Sequence, residues 1–196
     1  MWVIVGLGNP GRHHAQSRHN VGFRVVDRLA ARWRVSVDRA AHQALLGEGR
    51  RDEERVLLMK PQTYMNRSGD AVASVRRFYR FPLEHVVVVH DDVDLPVGRI
   101  RIRVGSRPGG NRGVASLIER LGDDGFVRVK VGIGRPVVGP VPADWVLGAP
   151  AGADADALAA AEDRAVDAVE FVLAEGPEPA MNRLNRREAP HGGSPL

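Results

Sequence analysis

Seven histidines are present, and one of them, His19, sits between Arg18 and Asn20 directly ahead of a helix-spaced apolar run. An imidazole, with an ordinary pKa of about 6.5, can take a proton from water near neutral pH. It can equally be a solvated surface group, and His13, His14, His42, His85 and His191 are read that way. The acids of His90-Asp91-Asp92-Val93-Asp94 follow four consecutive valines. Three uses are open to them: capping a turn, holding a divalent metal, or pairing with a histidine to fix its tautomer. The spacing of a calcium loop is not met. Asn66 stands at an expected helix start, where asparagine is commonly a cap. The chain has no cysteine, no Gly-x-Ser-x-Gly elbow, no HExxH and no Walker loop. Hydrolytic chemistry would therefore use water as nucleophile.

Gly6-Leu7-Gly8-Asn9-Pro10-Gly11 matches the letters of a dinucleotide fingerprint. That motif requires its last glycine to open a helix whose N-terminus meets the pyrophosphate. Here helical spacing starts only after Asn20, and Asp27, near the distance expected of a ribose-binding acid, falls inside that helix. A dinucleotide site is rejected. What remains is a tight loop at the C-terminal end of a strand, where α/β proteins place their sites.

Arg99-Ile100-Arg101-Ile102-Arg103-Val104 alternates strictly. In a strand it sends Arg99, Arg101 and Arg103 to one face at ~6.5–7 Å intervals, close to the step between phosphates. Lys130, Arg107, Arg112 and Arg128 lie nearby in sequence or on the next strand. A solvated outer face is the plain alternative, but such faces usually mix charge signs, and a polyanion-binding patch is the better reading.

These residues need elements to position them. Strands are expected at 2–7, 42–48, 54–60, 85–90, 99–104 and 127–133. Helices are expected at 21–33, 66–79, from the glycine-rich loop to 121, 151–174 and 178–185. Strands interleaved with helices imply an α/β fold, one domain over 1–188 with a mixed sheet, and a Pro/Gly-rich tail, 189–196, expected to be disordered. With 43% hydrophobic residues in 196, a buried core is available. The apolar start reads as a buried strand, not a signal peptide, and no later run is long enough to span a bilayer. Absence of cysteine fits a reducing cytoplasm. The net charge of +4 comes almost wholly from arginine, the only lysines being Lys60 and Lys130.

Along almost its whole length the chain resembles the bacterial peptidyl-tRNA hydrolase family. The resemblance rests on Val5-Gly6-Leu7-Gly8-Asn9-Pro10-Gly11, Arg18-His19-Asn20-x-Gly22 and Pro61-x-Thr63-Tyr64-Met65-Asn66-x-Ser68-Gly69. It continues through His90-Asp91-Asp92-x-Asp94-Leu95-Pro96, Gly132-Ile133-Gly134-Arg135-Pro136, Val146-Leu147-Gly148 and Ala180-Met181-Asn182. It implies a single α/β domain with a twisted mixed sheet flanked by helices, monomeric and needing neither metal nor organic cofactor. It further implies that His19 is a general base oriented by Asp91, acting on the ester between a peptide and the 3′ end of tRNA. Asn9, Tyr64, Met65, Asn66, Asn111 and Arg112 are the implied substrate contacts; Arg99, Arg101, Arg103 and Lys130 would face the acceptor arm.

Two positions depart from the family pattern. A glycine-rich loop that usually reads Gly-His-Asn-Gly is Gly110-Asn111-Arg112-Gly113, and His14 replaces a tyrosine of the first loop. Arginine donates but cannot accept, so any acceptor role at Arg112 is lost. The altered loop motivates a second expectation, a relative that binds RNA without cleaving it.

Overall fold

Four consecutive valines, Val86–Val89, have no polar face to offer solvent, and they fold into an inner strand buried throughout. The computed structural model describes residues 1–136 and 139–186; the expected disordered tail, 189–196, lies outside them. In chain order the elements are β1 (Trp2–Gly6), α1 (Val21–Trp33), β2 (Arg39–Ala41), β3 (Ala44–Arg51), β4 (Glu54–Pro61), α2 (Ser68–Tyr79) and β5 (Val86–Asp92). There follow β6 (Ile100–Val104), α3 (Arg112–Leu121), β7 (Val127–Gly132), α4 (Ala143–Leu147), α5 (Gly152–Glu175) and α6 (Pro177–Leu184). The seven strands form one sheet in the order β2-β3-β4-β1-β5-β7-β6. Its centre, β4 through β7, is parallel. Both margins are antiparallel, which makes the sheet mixed as expected.

Strand alternation divides the core in two. Ile4, Val87, Val89 and Val129 pack with α1 and α5, while Val3, Val5, Val86 and Val88 pack with α2 and α3. Each fully buried aliphatic side chain of this kind contributes about 1.5–3 kcal/mol. The chain leaves β1 toward one side of the sheet and returns to β5 on the other. A crevice therefore opens between the C-terminal ends of these neighbouring strands.

Helix α1 is pressed onto that crevice by two glycines. A Cβ at Gly6 would lie 2.2 Å from the Gly22 carbonyl oxygen, and one at Gly22 would lie 2.4 Å from that of Val89. Backbone thus rests directly on backbone. This places the helix start, and His19 just before it, at the sheet's C-terminal edge. On its outer face α1 presents Arg24, Arg28 and Arg32, four residues apart, to the acids of α5. Glu162, only 3% exposed, receives Arg24 at 2.7 Å and Arg28 at 3.0 Å; Arg32 meets Asp167 and Glu170. Several arginines are thereby consumed in holding helix to helix.

Edge strand β6 is closed by a side chain. Asn185, just after α6, accepts from Ile102 N–H at 2.7 Å and donates to Ile102 C=O at 2.8 Å, as a further strand would.

Candidate active site

Successive residues at the end of β5 point to opposite faces, so Asp91 and Asp92 serve different partners. Asp91, 4% exposed, places Oδ2 2.7 Å from His19 Nδ1 on the α1 side. A carboxylate there holds the proton on Nδ1 and leaves Nε2 with a free lone pair, the tautomer a base requires. Asp92 points the other way, to Lys130 Nζ at 2.8 Å, and accepts from the Asp94 amide at 2.8 Å. Burial pushes its pKa up, but the ammonium and the amide outweigh burial and leave it below the usual carboxylate value. Asp94 is exposed and pairs with Arg135. Of the three acids, the structure brings Asp91 to His19.

Asparagine amides organise the rest. Asn20 accepts from Asn9 N–H and donates to Asn9 C=O, both at 2.9 Å, pinning the loop after β1 to the start of α1. Asn9 Oδ1 accepts from the Met65 amide at 2.9 Å. Its Nδ2 has no protein acceptor among the described residues, so an N–H donor is left on the cleft wall. Asn111 caps α3, its Oδ1 accepting from Gly113 and Val114 at 3.0 and 3.1 Å. Its Nδ2 donates to Asp91 Oδ1 at 3.0 Å. With both ends of its amide occupied, Asn111 braces the acid while lining the same cleft. Asp27, considered above as a ribose ligand, pairs instead with Lys60.

His19, Asp91, Asn9, Tyr64, Met65, Asn66, Asn111 and Arg112 all line one cleft of about 640 Å³. Tyr64 is 64% exposed, Asn66 and Arg112 are exposed, and Met65 is buried. Asn66 lies in a 3₁₀ turn, Met65–Arg67, one turn before α2, and makes no side-chain cap. The far wall is apolar, built from Val141, Val146 and Leu147. Among the described residues no group of three or more His, Asp or Glu is arranged to hold a metal ion. His14 lies against His13 with ring centroids 3.9 Å apart and planes tilted by 46°, and burial, with the charges of His13 and His19, lowers its pKa.

Residues not singled out at the start belong to this site as well. Asn20 and the α4 wall were visible only as fragments of the family motifs. His90 also lines the cleft, 1% exposed, with Nδ1 2.7 Å from the Asp91 carbonyl oxygen. Burial drives its pKa down from 6.5 to about 4. The folded protein thus binds fewer protons than the unfolded chain between those values. Stability held above pH 6.5 is expected to fall as pH drops toward 4. Denaturant unfolding at several pH values should show this slope, shallower in His90→Gln; equal slopes would reject a buried neutral imidazole.

Cross-strand register sets Arg101 opposite Lys130 and Arg103 opposite Arg128 on the face that α1 and α5 do not cover. Arg103 is exposed and Arg101 partly so. Arg99 precedes β6, its carbonyl accepting from Gly132 N–H at 2.7 Å. Arg128 is fully buried. It donates to the carbonyls of Ser106 and Arg107 at 2.8 and 3.1 Å, bracing the start of the glycine-rich loop. Lys130 is already paired with Asp92, so Arg101 and Arg103 form the accessible part of the stripe. No described helix is long and apolar enough to cross a membrane.

A family model described as peptidyl-tRNA hydrolase matches residues 3–191. The chain is 45% identical over 185 residues to the peptidyl-tRNA hydrolase of Citrifermentans bemidjiense, covering 94% of this chain and 98% of that one. Against the peptidyl-tRNA hydrolase of Carboxydothermus hydrogenoformans it is 46% identical over 186 residues, 95% and 99% of the two. Its fold is similar to the crystal structure of peptidyl-tRNA hydrolase from Acinetobacter baumannii, with TM-score 0.88, 33% identity and 94% of each chain covered.

Proposed function

This chain belongs to the peptidyl-tRNA hydrolase family, and from that premise we propose that it hydrolyses the ester joining a peptide to the 3′ end of tRNA. The observation that carries the reading is the 2.7 Å contact between His19 Nδ1 and Asp91 Oδ2 on the wall of the cleft. His19 Nε2 takes a proton from water, whose oxygen bonds to the ester carbonyl carbon. Asp91 stabilises the imidazolium as it forms. The oxyanion accepts from the free Nδ2 of Asn9, a neutral donor that leaves the charge on the base undisturbed. When the carbon–oxygen bond to the ribose breaks, the imidazolium protonates the departing oxygen. The products are a free 3′ hydroxyl and the peptide's carboxylic acid, which loses its remaining proton to solvent. Tyr64, Met65, Asn66 and Arg112 hold the substrate, while Asn111 acts through Asp91. No metal or cofactor takes part.

Arg99, Arg101, Arg103 and Lys130 face the acceptor arm, with Arg101 and Arg103 supplying most of the free charge. Contacts to phosphate carry no sequence information, which suits an enzyme that accepts many tRNAs. The protein acts as a monomer in the cytoplasm. In support, Asn185 occupies the backbone groups of Ile102 on edge strand β6, and the strand at the opposite edge, β2, is only three residues long.

Purified protein incubated with N-blocked aminoacyl-tRNA should release the blocked amino acid. Salt-sensitive tRNA binding without release would instead select the non-catalytic reading that Arg112 motivates. In the same system Arg101→Glu combined with Arg103→Glu should weaken binding by roughly tenfold or more and flatten its salt dependence. Unchanged affinity and salt slope would reduce the stripe to a solvated face.

A further inference from the structure

Arg18 is 9% exposed, yet its charge is not spent on a close acid; the nearest, Asp154, is 4.0 Å away. Its guanidinium lies 4.1 Å from the centre of the Trp145 ring. Nη1 donates to the carbonyls of Trp145, Gly148 and Ala149 at 3.4, 3.4 and 3.2 Å. The Arg18 backbone N–H donates to Gly148 C=O at 3.0 Å. These carbonyls lie in and just past the last turn of α4, where an intrahelical donor is missing and a cation is favoured. On its other side Trp145 Nε1 donates to Gly134 C=O at 2.9 Å. Helix α4 has no fully buried residue; Val146 packs at the margin of the core, and these contacts supply the rest of what holds the helix in place.

The neighbours make this arrangement consequential. Arg18 immediately precedes His19, and Val146 and Leu147 of α4 form the apolar wall of the cleft that His19 faces. We propose that Arg18 is a positioning residue that latches the α4 wall to the segment carrying His19, so that the wall and the base keep one fixed separation. Arginine is required for geometric reasons. A planar group can stack on an indole while its N–H groups reach carbonyls in the ring's own chain; an ammonium cannot do both. Without the latch α4 swings on its Gly134 anchor, and substrate loses a wall before the base loses its acid, because the His19–Asp91 contact does not pass through Arg18.

The kinetic arm of the test rests on the esterase reading; the exchange arm does not. Amide hydrogen exchange across 143–149 should accelerate roughly tenfold or more in Arg18→Ala and in Trp145→Ala, with core strands unchanged. The double variant should exchange more slowly than the product of the two single effects, because both substitutions remove the same stacking contact. In peptide release, Arg18→Ala should raise KM more than it lowers kcat, leave the pH–rate profile in place, and be partly relieved in Arg18→Lys. If Arg18→Ala does not fold, Arg18→Lys and Trp145→Ala carry the same comparison. Unchanged exchange at 143–149, or additive effects of the two substitutions, overturns the latch. So does a lowered Tm with KM and kcat both intact, since that is what a purely structural arginine gives. Accelerated exchange in a chain that releases no peptide upholds the latch and rejects the esterase.

Discussion

Replacing His19 with alanine is expected to lower kcat for peptide release by about 10²–10⁴-fold, the usual worth of a positioned general base. The imidazole is only part-buried, so little packing is lost, and Tm should stay within a few degrees of the parent. Affinity for tRNA should also persist, because the phosphate contacts proposed for Arg101 and Arg103 do not involve the ring. Near-normal turnover in a folded His19→Ala variant would remove the base from the mechanism. The substitution His19→Asn would sharpen the result, since an amide can still donate to Asp91 but cannot carry a proton away from water.

Asp91→Asn is expected to cost a comparable factor, on the order of 10²–10⁴ in kcat, for a different reason. The amide is nearly isosteric, yet it presents an N–H or a neutral oxygen where a carboxylate stood. If its N–H faces His19, the imidazole must place its own proton on Nε2 and can no longer accept from water. If the oxygen faces His19, the tautomer survives but the imidazolium loses its counter-charge. Asn111 complicates matters further, because its Nδ2 donates to Asp91 Oδ1 at 3.0 Å and favours an acceptor there. Both atoms cannot be acceptors in asparagine, so either the His19 contact inverts or the Asn111 contact is lost. Steady-state kinetics beside a crystal structure of the variant would separate the two orientations. A variant retaining more than about a tenth of parental kcat would show that Asp91 does no more than fill space.

What could be read from the chain was whatever its local periodicity enforces. The four valines of β5, the alternation of β6 and the apolar spacing of α1 each admit one element, and each formed within one or two residues of expectation. Strand β2 was missed because Arg39-Ala40-Ala41 carries no alternation; it exists only by pairing with β3. Helix α4 was missed for a related reason. Five residues with none buried leave no periodic trace, and tertiary contacts to Arg18 and Gly134 supply what propensity does not. Within the site, residue types were legible and partners were not. That one of three clustered acids meets His19, 72 residues away, depends on which face of β5 each side chain takes. Asn111 is the clearest limit. Nothing in Gly110-Asn111-Arg112-Gly113 distinguishes an amide that touches substrate from one that caps a helix while bracing a carboxylate.

The ladder between α1 and α5 has an effect well beyond holding two helices together. By pairing Arg24, Arg28 and Arg32 with acids of α5, it takes those three guanidinium groups out of the charge open to a polyanion. On the proposed reading, a polyanion meets Arg101 and Arg103 and not these three side chains. The rate of encounter then varies with ionic strength even where the chemical step does not.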